Sequence, residues 1–271
     1  MAENLLKGKK GIIFGALNEM SIAWQVAEKA KEQGADLILT NAPIAMRMGE
    51  INTLAKKLDA PVIAADATRD DDLNALFEQS MTHFGGGVDF VLHSIGMSPN
   101  VRKGFPYTAS NHDFYLKTLD ISGLSLHRVL QAAYERDAIN EWGSVVGLTY
   151  IAAQRVFPDY NDMADAKSLL ESIARSFGYH YGVKKKVRVN TISQSPTMTT
   201  AGSGVKGFDK FVAYADAMSP LGNADASACA DYCVSLFSDH TRYVTMQNLF
   251  HDGGFSLTGV SNAVMDKFSE E

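Results

Sequence analysis

The stretch GLTYIAAQRVFPDYNDMADAKSLLE, residues 147–171, carries two tyrosines and one lysine that could act on a single ligand: Tyr150, Tyr160 and Lys167. Ten positions separate the tyrosines, and seven separate Tyr160 from Lys167. A phenol donates a hydrogen bond or a proton, and an ammonium holds oxygen acceptors and negative charge. The trio could therefore polarise an oxygen and anchor a polar group beside it. The same three residues could equally be ordinary parts of a strand and a helix. The elements that carry them decide between the two.

Short apolar runs alternate with longer helical patterns along the chain. GIIFG (11–15), DLILT (36–40), PVIAA (61–65), VDFVLHS (88–94), GSVVGLT (143–149), VRVNTIS (187–193) and YVTMQNLF (243–250) read as strands. Helical patterns fill the gaps, at about 21–33, 44–58, 70–83, 111–137, 160–181, 208–217 and 224–237. Strands apolar at consecutive positions imply burial on both faces, as in a parallel sheet covered by helices. The expectation is one α/β domain over 1–271, a Rossmann-like doubly wound parallel sheet. Tyr150 then ends the fifth strand, and Tyr160 and Lys167 lie on the helix that follows.

The 271 residues, 46% hydrophobic and 21% charged, suffice for a full core. A net charge of −6 argues against general nucleic-acid binding, which needs a basic surface. The one tight basic run, Lys184-Lys185-Lys186, reads as a solvated turn. Cys229 and Cys233 are four apart on a predicted helix, a spacing open in principle to metal. No second pair or neighbouring histidine joins them, so they read as buried free thiols, with no metal expected. That usage points to a reduced, cytoplasmic setting. No stretch approaches membrane-spanning length, and MAENLLKGKKGIIFGA is not a secretory signal.

Several features point to a ligand at the carboxyl ends of the strands. The first strand runs into GALNEMSIAWQVAEKAKEQG (15–34), a strand–glycine–helix layout that sets a pyrophosphate on a helix N-terminus. Gly15 would let the backbone turn, and Ser21, at the N-cap, would offer a hydroxyl and an amide. This is not the G-x-G-x-x-G fingerprint, since Ser21 stands where a later glycine is expected. Asp66, at the end of 61–65, could accept from an adenine amino group. The N-cap role there falls to Thr68 or the neighbours of Arg69, which leaves Asp66 for a ligand. In HSIG (93–96), Gly96 either lets the backbone run close to a ribose and nicotinamide or marks an ordinary turn. QSPTMTTAGSGVKGFDKF, after the strand 187–193, is too long for a tight connection. It reads as a functional loop or lid, or as a surface insertion.

Together these residues resemble the short-chain dehydrogenase/reductase superfamily and, within it, the enoyl-(acyl-carrier-protein) reductases of bacterial fatty-acid synthesis. The likeness runs from about Gly8 to Ser256. It rests on Gly15 with Ser21-Ile22-Ala23, on Asp66, His93-Ser94-Ile95-Gly96, Tyr150, Tyr160 and Lys167. Arg188-Val189-Asn190, Ser193 to Pro196 and Asp252-Gly253-Gly254-Phe255-Ser256 extend it. The resemblance implies cofactor binding by Gly15, Ser21, Ile22, Ala42, Asp66, Ala67, Ser94, Ile95, Gly96 and Lys167, with Thr197, Met198, Thr199, Thr200 and Ala201. It implies substrate binding by Ser98, Tyr150, Tyr160 and Phe208, and a lid at about 197–218 that is mobile without ligand. Lys206 and Lys210 match positions of positive charge for docking an acidic carrier protein, although Asp209 stands where an arginine is often found. Ser195 replaces a glycine common before the proline, and Ala42 a longer polar residue. The second strand's tip, LILTNAPIAMRMGE, carries neither an acid for a 2′-hydroxyl nor a basic cluster for a 2′-phosphate. That favours NADH and leaves NADPH open. A homotetramer follows from the resemblance alone.

The resemblance also gives the Tyr–Lys spacing a meaning. Ketone-reducing relatives place a tyrosine four residues before the lysine. That position is Met163 here, which cannot donate a proton. Tyr160 would lie three residues further back, about 4.5 Å along a helix axis. In ketone reduction the hydride lands on the carbon bearing the oxygen. In conjugate reduction it lands on the β-carbon, and charge appears on a thioester oxygen two carbons away. A set-back acid fits the second case. Tyr160 would stabilise the enolate, and Lys167 would hold the nicotinamide ribose. Tyr150, at the place of a serine in ketone reductases, would shape the acyl pocket or help deliver a proton. The competing readings are a 3-oxoacyl reductase, which needs a donor at Met163, and a non-catalytic NAD-sensing protein. A serine hydrolase is excluded by the absence of G-x-S-x-G.

Overall fold

A computed structural model describes residues 4–199, 202 and 207–268. Its strands are β1 (Lys10–Phe14), β2 (Asp36–Thr40), β3 (Val88–His93), β4 (Ile139–Thr149), β5 (Arg188–Gln194) and β6 (Asn248–His251). They form one six-stranded sheet in the order β2-β1-β3-β4-β5-β6, with every pairing parallel. Both faces are covered, which is why the strands read as unbroken apolar runs. In β1, Ile13 joins a core shared with α1 (Ile22–Glu32) and α10 (Ala226–Phe237). The adjacent Ile12 joins the other core, with α4 (Asp70–Phe84), α7 (Ser125–Glu135) and α8 (Asn161–Lys185). Cys229 and Cys233 are buried free thiols in the first core.

The doubly wound parallel sheet matches the expectation, with differences in detail. Residues 61–65 form no full strand. They run beside β2 with a single bridge, Leu39 to Val62, because Pro61 has no N–H to give the ladder. The helix expected at 44–58 divides into α2 (Pro43–Met48) and α3 (Ile51–Leu58) around an extended Gly49. That break lets the Glu50 amide reach the Leu17 carbonyl at 2.7 Å. The pattern at 111–137 becomes α6 (His112–Leu119) and α7, joined by a π-turn at Asp120–Leu124. The last strand begins only at Asn248, since Met246 adopts φ +60 and breaks the extended run. The basic run is no turn: α8 continues through Lys185, and Lys184 and Lys185 both pair with Asp137.

Candidate active site

The order of the sheet reverses between β1 and β3, the kind of switch point at whose carboxyl ends open α/β sheets bind ligands. Gly15 makes the turn possible, at φ +96. A Cβ on it would sit 2.0 Å from the Ser94 carbonyl oxygen, so only glycine lets the turn nest on the end of β3. Ser21 is the N-cap of α1 by position, but its hydroxyl does not cap the helix. It donates to Asn18 O at 2.6 Å and accepts from Leu17 N at 3.2 Å, while its amide donates to Asn18 O at 2.9 Å. Both its hydroxyl and its amide take part in folding the loop. The anion-facing amides of α1 begin at Ile22.

Asp66 also has a loop partner. Its Oδ1 accepts from both the amide and the hydroxyl of Thr68, at 2.9 and 2.7 Å, so only one carboxylate oxygen is taken up by the loop. Ala67 is buried beside it. Ala42 is the N-cap of α2, with its amide on Asn41 Oδ1 at 2.9 Å.

A cleft of about 170 Å³ opens beyond β3, β4 and β5. It brings together Ile22, Gly96, Ser98, Tyr150, Tyr160, Lys167, Thr197, Thr199 and Phe208 from the expected set. Gly15, Ser21, Ala42, Asp66, Ala67, Ser94, Ile95, Met198 and Lys210 do not line it. The Tyr150 and Tyr160 rings lie 4.9 Å apart between centroids. Neither phenol oxygen has a hydrogen-bond partner among the described residues. Burial pushes the Tyr160 phenol up to about 12. Burial, and then the neighbouring Tyr160, push Tyr150 well above the ordinary phenol range. Both are therefore neutral donors near pH 7.

Lys167 is buried, and its Nζ donates to Ile95 O at 2.9 Å and Leu148 O at 3.0 Å. An ammonium has three donors, so one remains for a ligand. Burial lowers its pKa to about 8, and the Glu171 carboxylate pulls it back upward. Nearby His93 is driven down to about 3, by burial first and then by the Lys167 charge, and is neutral. Its Nε2 meets Ser125 Oγ at 2.8 Å.

One further expectation is corrected. Tyr160 is not on the regular helix. It ends a 3-10 turn, Pro158–Tyr160, and α8 starts at Asn161, whose φ of +43 breaks the helical path. A distance counted by helical rise does not apply across that break. Ser98 lines the cleft, where its hydroxyl donates to Asp162 Oδ1 at 2.5 Å and accepts from Val101 N at 3.0 Å.

Sequence reasoning missed Thr149, Gln194 and Glu171. Thr149 lines the cleft and donates to Glu171 at 2.9 Å. Gln194 Nε2 binds Ala224 O at 2.9 Å, and its Oε1 meets His251 Nδ1 at 2.7 Å. The spacing of Glu171, four after Lys167 on one helix face, was a readable signal. In the segment expected to act as a lid, Thr197 Oγ1 donates to Ser195 O at 2.9 Å, and Met198 is exposed. Thr199 Oγ1 accepts from Gly202 N at 3.0 Å. Thr200, Ala201 and Lys206 lie outside the described residues. Phe208 opens α9 (Phe208–Met218) and is buried, while Lys210 on the same helix is exposed. Among the described residues, no cluster of three or more His, Cys, Asp or Glu could hold a metal. No described helix is long and apolar enough to cross a membrane.

A doubly wound parallel sheet with a phenol–lysine cleft at its carboxyl edge is the build of a short-chain dehydrogenase/reductase. Comparison with known proteins narrows this. The family described as enoyl-(acyl carrier protein) reductase matches residues 15–256. The enoyl-(acyl-carrier-protein) reductase (NADH) FabI of Bacillus subtilis is 31% identical over 256 residues, spanning 93% of this chain and 98% of that protein. Reductase (NADH) 1 of Rhizobium meliloti is 32% identical over 261 residues, spanning 96% and 94%. The FabI–NADH complex from Alistipes finegoldii superposes with a TM-score of 0.96 at 62% identity, covering 97% of this chain and 93% of that one. The chain belongs to the enoyl-(acyl carrier protein) reductase family.

Proposed function

We propose that the protein reduces the carbon–carbon double bond of trans-2-enoyl thioesters on acyl carrier protein, with NADH, in the elongation cycle of fatty-acid synthesis. The observation that carries the reading is the pair of unengaged phenols beside Lys167, with Met163 at the ketone-reductase position. A Cβ on Gly96 would reach 3.8 Å from both Lys167 Nζ and Met163 Cε, so the thioether occupies the lysine's neighbourhood and offers no acid there.

The residues present fit NADH. Gly15 lets the first turn pack on β3, the N-terminus of α1 lies at the switch point, and Gly96 leaves the floor beside Lys167 open. When bound, NADH supplies the hydride. Tyr160 donates a hydrogen bond to the thioester oxygen where charge develops, a role for a neutral phenol in a dry cleft. Lys167 gives its third donor to the ribose hydroxyls, and its charge favours the enolate. Tyr150 walls the acyl side together with Phe157 and Phe211, at ring distances of 5.5 and 6.2 Å. Residues 197–218 act as a lid with Phe208 on the acyl chain, Lys206 and Lys210 meet the acidic carrier, and the enzyme works as a cytoplasmic homotetramer.

The test is consumption of NADH, and separately NADPH, with a short trans-2-enoyl thioester and with a 3-oxoacyl thioester. Turnover of the enoyl substrate with NADH is expected. Consumption with the 3-oxoacyl substrate alone contradicts the reading.

A further inference from the structure

Lys167 and Tyr160 reach the cleft by different means. Lys167 sits on regular helix, and two carbonyls fix its Nζ. Tyr160 precedes the helix, with φ −88 and ψ −9, and Asn161 follows it at φ +43 and ψ −137. That pairing of angles resembles the first corner of a II′ turn, which glycine adopts readily and other residues adopt under strain. Asparagine stands there, buried, and three of the four hydrogen-bonding sites of its side chain are engaged. Oδ1 accepts from Ser110 Oγ at 2.7 Å and from Asp162 N at 2.6 Å, and Nδ2 donates to Phe105 O at 2.7 Å. Ser110 and Phe105 belong to the segment after α5 (Pro99–Lys103), whose Val101 and Arg102 line the cleft. The next residue, Asp162, holds the start of α5 itself through Ser98 at 2.5 Å and Asn100 at 2.7 Å.

We propose that Asn161 is the positioning residue for Tyr160. Its side chain holds the backbone corner that sets the phenol in the cleft, independently of the helix that sets Lys167. The proposal rests on the reading that Tyr160 meets the thioester. It explains how a seven-residue spacing places both groups in one site when helical geometry does not connect them. Misplacing an acid by about 1 Å costs on the order of 10²-fold in rate, so this corner should govern turnover and not cofactor binding.

The experiment compares Asn161→Ala, Asn161→Gly and Ser110→Ala with the wild type. It reads kcat at saturating NADH and enoyl thioester, NADH affinity by fluorescence, and thermal midpoint. Asn161→Ala is expected to lose roughly 30- to 100-fold in kcat, with NADH affinity within about twofold. Asn161→Gly, free to adopt the corner without strain, should regain most of that kcat and melt no lower than the alanine variant. A purely structural role would lower NADH affinity together with kcat, so affinity that holds while kcat falls separates the two. Ser110→Ala should lose kcat by a smaller factor, and it keeps the test alive if Asn161→Ala does not fold. Unchanged kcat in Asn161→Ala, or in Ser110→Ala if the alanine variant is lost, overturns the inference alone. So does a glycine variant as slow as the alanine one. A wild type inactive on the enoyl thioester overturns the functional reading and this inference with it.

Discussion

The two ends of α8 hold the same residue types in opposite states. At its carboxyl end, Tyr181 is buried and donates to Leu130 O at 2.9 Å. Lys184 there binds Tyr134 O at 2.9 Å and lies 4.0 Å over the Tyr134 ring, and Lys185 pairs with Asp137 at 2.7 Å. At the amino end, the phenol of Tyr160 faces the cleft without a described partner, and Lys167 retains a donor beyond its two carbonyls. Burial pushes both Tyr160 and Tyr181 upward, so a shifted pKa does not tell a working phenol from a structural one. What distinguishes them is hydrogen-bonding capacity left open toward a cavity.

The largest effect expected from that contrast is on Tyr160. Tyr160→Phe should lower kcat by roughly 10²- to 10³-fold without lowering the thermal midpoint, because no protein hydrogen bond is lost. Tyr181→Phe should do the reverse, costing about 1 kcal/mol of stability with kcat unchanged. Denaturation and steady-state kinetics on the two variants would break the comparison if the effects were exchanged.

Next in size, Lys167→Ala should weaken NADH on the order of tenfold, as expected for a charged donor lost from a ligand hydroxyl. Wild-type affinity in a fluorescence titration would contradict this. A pH titration sharpens the point. The ammonium, the form that holds the ribose, prevails below about pH 8, so NADH affinity should fall as pH rises through that value. Glu171→Gln removes the charge that raises this pKa, so the fall should move to lower pH; an unmoved midpoint would remove Glu171 from the account. The sign for stability is opposite. The unfolded lysine titrates near 10.5 and the folded one near 8, so the unfolded chain binds more protons between them. Stability contributed through Lys167 therefore rises with pH across that window, which calorimetry of the free protein can follow. The smallest effect should be at the surface. Lys210→Glu should raise KM for a carrier-protein thioester about two- to fivefold and leave a small-thiol thioester unaffected. Equal effects on both substrates would argue against docking there.

The sheet was legible because two-sided burial writes itself as consecutive apolar residues, and DLILT forms β2 over the residues expected. Edges were less legible: Pro61 and Met246 each break a ladder through one residue's backbone, which an apolar pattern does not record. Tyr150, Tyr160 and Lys167 were found by type and spacing, and the cleft gathers all three. Small polar residues at strand ends serve loops and ligands alike, so type and position did not foretell the loop partners of Ser21, Asp66 and Ser98. Those partners are Asn18, Thr68 and Asp162. The corner at Asn161 could not be read at all, since asparagine gives no sign of the angles it will adopt.

The most direct test is the rate of hydride transfer in a single turnover. Tyr160→Phe, preloaded with NADH, is mixed with a saturating enoyl thioester and followed by stopped-flow absorbance. The account predicts NADH affinity equal to wild type and a transfer rate constant lower by roughly two orders of magnitude. A rate constant equal to wild type would contradict it.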